Sequence, residues 1–236
     1  MLSKAITTTV TLYAKWGYAI TFNSNGGSET DSIIDVGGAE ISAPDEPEKT
    51  GYVFSGWFTD DGTFEDEFIF ETMPQQNITL YAEWELYNIG LSFTLINNDS
   101  EYEVSCGTCQ DEEIITPAQY QGKPVTSISD GAFEDNSKII SAILPDTIKN
   151  IGNRAFRFRK KLEQVNIPES VESIGDSAFE YCEKLTSVMI SKKVSHIGSH
   201  AFAYCKEVTS FTVNEDNQNF KSVEGNLYSK DGTKLI

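Results

Sequence analysis

VESIGDSAFEYCEKLTSVMISKK (171–193) reads as one unit of a repeat, because the stretches around it carry the same residue types at the same phase. They are VTSISDGAFEDNSKIISAILPDT (125–147), IKNIGNRAFRFRKKLEQVNIPES (148–170) and VSHIGSHAFAYCKEVTSFTVNED (194–216). Phe133, Phe156, Phe179 and Phe202 recur every 23 residues, as do Ile128, Ile151, Ile174 and Ile197. A unit this short cannot bury its own apolar face, so such units stack and share one core. In the third unit the inward ladder is expected to be Val171, Ile174, Ala178, Phe179, Leu185, Val188 and Ile190. The alternation at Leu185, Val188 and Ile190 suits a short strand that adds to its neighbours, building a parallel sheet with one outward face. Gly152, Gly175 and Gly198 are expected at sharp turns, and Pro145 and Pro168 close the strand.

A second, longer period lies upstream. TLYAKW (11–16) returns as TLYAEW (79–84), so residues 1–16 read as the tail of one copy and residues 17–85 as a complete one. This module holds 15 acidic and 1 basic side chain, whereas residues 124–213 hold 11 of each. The chain's net charge of -18 therefore belongs mostly to the first module, and it disfavours nucleic acid and anionic membranes as partners. Strand signals in AITFNSNGG, GYVFSGWF and ITLYAEW mark a small β-rich fold. Its rings, Phe22, Tyr52, Phe54, Trp57, Phe58, Tyr81 and Trp84, are expected to supply much of its core rather than a sugar-binding platform. Residues 86–124, with strand-like runs and a QGKP turn, read as a β cap or linker ahead of a solenoid at 125–213.

At this point two families can be named. ITFNSNGGSE, APDEPEKTGYVFSGWF and ITLYAEW resemble the Listeria-Bacteroides repeat, the B-repeat of internalin-type surface proteins. The units with IGxxAFxxC and LxxVxIP resemble the BspA-like leucine-rich repeats of bacterial surface proteins. The resemblance implies a mainly β chain: a small β-grasp-like module, then a curved, right-handed leucine-rich-repeat solenoid with 23-residue repeats. It also implies a place outside the cell or on the bacterial surface, as part of a longer protein, and a role in adhesion or host-protein binding. NFKSVEGNLYSKDGTKLI (219–236) resembles the hairpin-forming insert such proteins carry, so residues 214–236 read as a hairpin-like insert that is cut short.

No catalytic set can be assembled, and no cofactor or metal is expected. CGTC (106–109) has the spacing of a redox pair or half a zinc site. It lacks a following helix to activate a thiol and a second pair of metal ligands, so a turn with two incidental thiols or a local disulfide is the expectation. Cys182 and Cys205 share one phase and read as structural thiols. HIGSH (196–200) has Gly198 between its histidines, which therefore need not share a face. The acidic run 59–71 lacks the spaced ligands of a calcium loop and reads as a solvated turn. The basic run 153–161 is read through the register. Arg157 aligns with Glu134 and Glu180, and Lys160 with Glu183 and Lys206, as rungs of charge ladders rather than a docking patch. No stretch is long and apolar enough to span a bilayer, and residues 1–16 lack the apolar core of a signal peptide, so any export signal is expected outside this sequence.

What remains is the outward sheet face. Its ligand-binding candidates are Glu163, Gln164 and Asn166 in the second unit, Thr186, Ser187 and Met189 in the third, and Thr209, Ser210 and Thr212 in the fourth. The expected function is a non-catalytic adhesion or binding module that recognises an extracellular or host protein, or another macromolecule, through this face. The alternative is a structural spacer in a larger surface protein.

Overall fold

A computed structural model describes residues 16–134 and 136–236. The expected tail of a preceding copy at residues 1–16 thus lies, apart from Trp16, outside the described residues. The chain divides into two compact units. One holds the described residues up to Lys49 together with Phe54–Glu83; the other holds Thr50–Val53 and Trp84–Ile236.

The first unit is built on one mixed sheet of β1 (Tyr18–Asn23), β2 (Ile33–Asp35), β3 (Tyr52–Phe58) and β4 (Ile78–Leu86), in the order β2-β1-β4-β3. The two central strands run parallel, with Ile20 opposite Ile78 and Phe22 opposite Leu80. Alternation puts Ile20, Leu80 and Ala82 into the core at 0–1% exposure. Of the seven aromatics expected in this core, Trp57 and Phe58 are fully buried, and the others are half-buried at its margin. Trp57 anchors the cluster, with its ring 4.6 Å from Phe22 and 5.3 Å from Phe54.

Acidity leaves a mark on this unit. Burial, then repulsion from Asp60 and Glu67, raises the Glu83 carboxyl above the usual carboxylate range. A folded-state pKa above the unfolded one means the ionised group opposes folding. The cost is present above the folded pKa and relieved as pH falls through it. Glu83→Gln should therefore raise the melting temperature of the first unit at neutral pH and narrow its gain on mild acidification. Thermal melts identical to wild type at both pH values would contradict the assignment.

The second unit starts with β5 (Ser92–Ile96), β6 (Glu101–Ser105), β7 (Glu113–Ile115), β8 (Gln119–Tyr120) and β9 (Lys123–Ile128). The repeats follow with β10 (Ser141–Ile143), β11 (Asn150–Ile151), β12 (Gln164–Val165), β13 (Ser173–Ile174), β14 (Ser187–Ile190), β15 (His196–Ile197) and β16 (Ser210–Val213). Last come β17 (Phe220–Val223) and β18 (Asn226–Ser229). Every described element is β; no helix among the described residues is long and apolar enough to cross a membrane.

Each repeat contributes two short strands, and the strands stack in parallel on two sides of a common core. On one side β9, β11, β13 and β15 pair in sequence, with Ser127 opposite Asn150, Asn150 opposite Ser173, and Ser173 opposite His196. This ladder continues through β6 and β5 of the preceding segment, so that segment adds strands to the stack. On the other side the expected single sheet is instead two pieces, β12-β10-β7 and β14-β16. The break falls where the proline-bearing repeats meet the proline-free ones. Pro145 and Pro168 lack the N–H a ladder needs, and their strands end after three and two residues, whereas β14 and β16 run for four.

Between the ladders lies the core, and every one of the seven inward residues expected in the third repeat is buried to 3% or less. Phe133, Phe156, Phe179 and Phe202 form one stack with ring centroids 5.0, 5.2 and 5.3 Å apart. Beside it the Cys182 and Cys205 thiols donate to the carbonyls of Phe156 and Phe179, each at 3.1 Å, which makes them hydrogen-bonding rungs. Burial pushes the Cys205 thiol up to about 11 and Cys182 higher still, so both stay protonated and unreactive.

The recurring glycines need a different explanation from the one expected. Gly152, Gly175 and Gly198 do not have positive φ. They are glycine because the preceding repeat comes too close: a Cβ on Gly175 would lie 2.6 Å from the Asn153 backbone nitrogen. After the repeats, β17 and β18 form an antiparallel hairpin across Glu224 and Gly225, both at positive φ as a two-residue primed turn requires. The Gly225 carbonyl accepts the Phe211 N–H at 2.8 Å, so the hairpin covers the outer edge of β16.

Candidate functional site

The outward face is set by strand alternation. In β14, Val188 and Ile190 are buried, while Ser187 and Met189 point to solvent, Met189 with 64% of its surface exposed. Pairing carries this pattern across the strands: Ser187 lies opposite Ser210 and Met189 opposite Thr212. On the other piece of sheet Gln164 lies opposite Ser141, and Ser141 opposite Glu113. All nine candidate residues, Glu163, Gln164, Asn166, Thr186, Ser187, Met189, Thr209, Ser210 and Thr212, are solvent-exposed.

They do not form one uninterrupted surface of free side chains. Those of the third and fourth repeats share the β14–β16 pair, whereas Gln164 belongs to the piece with β10 and β7. Asn166 is already engaged. Its carboxamide accepts the Leu144 N–H at 2.7 Å and donates to the Leu144 carbonyl at 2.8 Å, standing in for ladder bonds just before Pro145. The pairing also extends the face by residues that sequence reasoning did not pick out: Glu113, Ser141 and Ile143, the last 46% exposed. Ser141 and Ile143 stand 23 residues before Gln164 and Asn166, so the repeat phase held the signal; Glu113 belongs to no recognisable unit.

A second feature missed from the sequence is an exposed aromatic row. Phe158 stacks on Tyr181 at 5.1 Å, and Tyr181 on Tyr204 at 4.4 Å. All three sit near φ +60°, a conformation bulky residues rarely adopt. Their 23-residue spacing was the available signal. Because the inner ring faces cover one another, the row offers mainly ring edges.

The basic run does form ladders. The Arg157 guanidinium lies 2.7 Å from the Glu180 carboxylate and 3.6 Å from that of Glu134, and Glu183 lies between Lys206 at 2.7 Å and Lys160 at 3.5 Å. Arg157 also covers the Phe158 ring at 4.4 Å. These cations are matched within the stack, which removes the main attraction of a docking patch for acidic partners. Among the described residues, no group of three or more His, Cys, Asp or Glu side chains could hold a metal ion. His196 and His200 are exposed, one in β15 and the other at φ +60°, and Asp60 in the acidic run is engaged by the Thr63 hydroxyl and the Asp66 N–H.

An all-β chain whose parallel strands stack repeat upon repeat around a ladder of phenylalanines has the architecture of leucine-rich-repeat proteins. The sequence families agree. The chain carries a Listeria-Bacteroides repeat domain over residues 18–83, followed by a BspA type leucine-rich repeat region over residues 115–230, matched as 6 copies. Two proteins of Evansella cellulosilytica are similar to it. One, named as an inferred membrane protein, is 37% identical over 111 residues, covering 44% of this chain and 17% of the relative. The other, named as an inferred Gly-rich membrane protein, is 35% identical over 119 residues, covering 48% and 13%. The matched stretch is thus under a fifth of either relative's length. Among solved structures, a leucine-rich repeat protein from Bacteroides capillosus aligns with 21% identity and a TM-score of 0.48 over 53% of this chain and 94% of that one. The pneumococcal vaccine antigen PcpA aligns with 27% identity and a TM-score of 0.45 over 61% and 39%.

Proposed function

We propose that this chain is a non-catalytic binding segment of a longer bacterial cell-surface protein, in which the face of β7, β10, β12, β14 and β16 recognises an extracellular or host protein. In this reading the second unit is a right-handed solenoid of 23-residue repeats. That length is supported by pairs such as Asn150 with Ser173 and Ser187 with Ser210. The first unit is a β-grasp-like module, supported by its β2-β1-β4-β3 order with a parallel centre. The observation that carries the functional reading is the exposure of short, uncharged side chains in register on β14 and β16, with Met189 as the large apolar group among them. Such a surface lets a partner's backbone approach closely, and Met189, with Ile143 on β10, gives it an apolar anchor. Affinity for one copy should be modest and should grow with repetition.

The test is a binding screen of the immobilised 236-residue chain against extracellular-matrix proteins, followed by Gln164→Arg with Ser187→Arg on any hit. At least a tenfold loss of affinity is expected, about 1.4 kcal/mol. Unchanged binding by the double variant would remove the face from consideration. Spacer function is the second reading, favoured by how small a part of its relatives the chain spans. A screen with no hits, together with a separate ligand-binding domain elsewhere in the full-length protein, would favour it.

A further inference from the structure

Cys106 and Cys109 precede the repeats, Cys109 within the buried core cluster and Cys106 packed against it, and neither is on the outward face. They are the ends of a β-turn closed by the Cys109 N–H donating to the Cys106 carbonyl at 2.9 Å. Such a turn keeps its end Cα atoms within about 7 Å, close to the span a disulfide bridges. The turn is firmly held. Gly107 sits at φ +54°, with no room for a Cβ beside the Gly90 carbonyl, which also accepts the Thr108 N–H at 2.8 Å.

The two thiols are free, and their surroundings differ. Cys106 is half-buried and lines an open pocket of about 320 Å3 together with Gly107, Gln110 and Asn136. Its sulfur faces Asn136 Nδ2 at 3.5 Å and donates to the Cys109 carbonyl at 3.3 Å. Cys109 is 1% exposed, and its thiol donates to Asp111 Oδ2 at 3.3 Å. One thiol can thus meet a small molecule, while the other is shielded but adjacent. Among the described residues, no group of three or more His, Cys, Asp or Glu side chains that includes this pair could hold a metal ion.

We propose that Cys106 and Cys109 are a dithiol modification site, which a small-molecule disulfide entering this pocket converts to an intrachain disulfide. The Cys106 thiolate attacks one sulfur of the incoming disulfide, whose S–S bond breaks and releases the first small thiol. The Cys109 thiolate then attacks the Cys106 sulfur of the mixed disulfide and releases the second. Two protein thiols are oxidised, one small disulfide is reduced to two thiols, and the protons of Cys106 and Cys109 end on the released thiols. Burial, with the Asp111 carboxylate beside it, pushes the Cys109 thiol up to about 11, so the ring-closing step quickens as pH rises.

Incubation of the 236-residue chain with oxidised glutathione, acid quenching, alkylation and peptide mass mapping would test this. In the wild type, the peptide containing both cysteines should lose the mass of two hydrogens and resist alkylation, with no lasting adduct. Cys109→Ser should retain one glutathione on Cys106, and Cys106→Ser should leave Cys109 unmodified. Alkylation in denaturant after the quench reads all four cysteines, and a parallel alkylation of the native chain reports on folding, because the buried Cys182 then takes agent only if a variant has opened. A wild-type chain that stays fully alkylatable, or that keeps the glutathione adduct without closing the ring, would overturn the proposal without recourse to either variant.

Discussion

Phe179→Ala is expected to cost about 3–5 kcal/mol of unfolding free energy. The ring is fully buried and lies between Phe156 at 5.2 Å and Phe202 at 5.3 Å, with planes 4° and 1° from parallel. Alanine keeps the backbone bonds of this position: its N–H to the Ala201 carbonyl at 2.7 Å and its carbonyl to the Cys205 thiol. The loss is therefore confined to the side chain. It combines roughly 1.5–3 kcal/mol of lost burial with a cavity between two rungs that cannot collapse without shearing the stack. Repeats touch only their neighbours, so the damage falls on two interfaces at once. Phe202→Ala should cost less, because that ring is only half-buried and stacks on one phenylalanine, with Phe211 meeting it edge-on at 5.3 Å. Urea unfolding of the wild type and both variants decides the matter. A loss below about 1 kcal/mol at Phe179, the range of an exposed substitution, would mean that it is no core rung.

That rung was legible because its phase recurs four times, so an error in any one unit would have been exposed by the others. The same redundancy gave the charge ladders, since Arg157 aligns with Glu134 and Glu180 by counting alone. What lay outside the repeat was harder to read. The four-strand order of the first unit depends on which segments meet across the chain, and a single full copy offers no internal check on that. The break between β12 and β14 was hidden for another reason. Sequence alternation reports which side chains face inward, not whether neighbouring backbones come close enough to bond. Asn166 shows the same limit at the candidate face: its exposure follows from alternation, but its two bonds to Leu144, which satisfy both backbone groups of the residue before Pro145, do not.

Gly175→Ala is the prediction with the second largest expected effect, and the one where backbone conformation alone and the packing around it give opposite signs. A glycine at negative φ in open space gains about 0.4–1 kcal/mol of stability when replaced by alanine, because the unfolded chain loses freedom. Gly175 has no positive φ to oppose that gain. Its surroundings do: the new Cβ would lie 2.6 Å from the Asn153 nitrogen, 2.7 Å from the Gly152 carbonyl carbon and 2.8 Å from Asn153 Oδ1. Two of these are backbone atoms of the preceding repeat, so relief requires the rungs to separate. Separation strains the bond from the Gly175 N–H to the Ile151 carbonyl and that from the Asp176 N–H to Asn153 Oδ1, each 2.8 Å. Overpacking of this kind costs about 1–3 kcal/mol, enough to reverse the entropic gain. Gly198→Ala should be at least as damaging, since its Cβ would stand 2.4 Å from the Asp176 nitrogen. Ser129 supplies the control. It occupies the same phase in the first repeat, where its N–H bonds the Val104 carbonyl of β6 at 3.0 Å and a Cβ is already accommodated. Ser129→Ala should therefore leave stability within about 0.5 kcal/mol of wild type. Stabilisation by Gly175→Ala would show that the stack tolerates wider spacing, and that glycine is kept there for some reason other than the approach of the rungs.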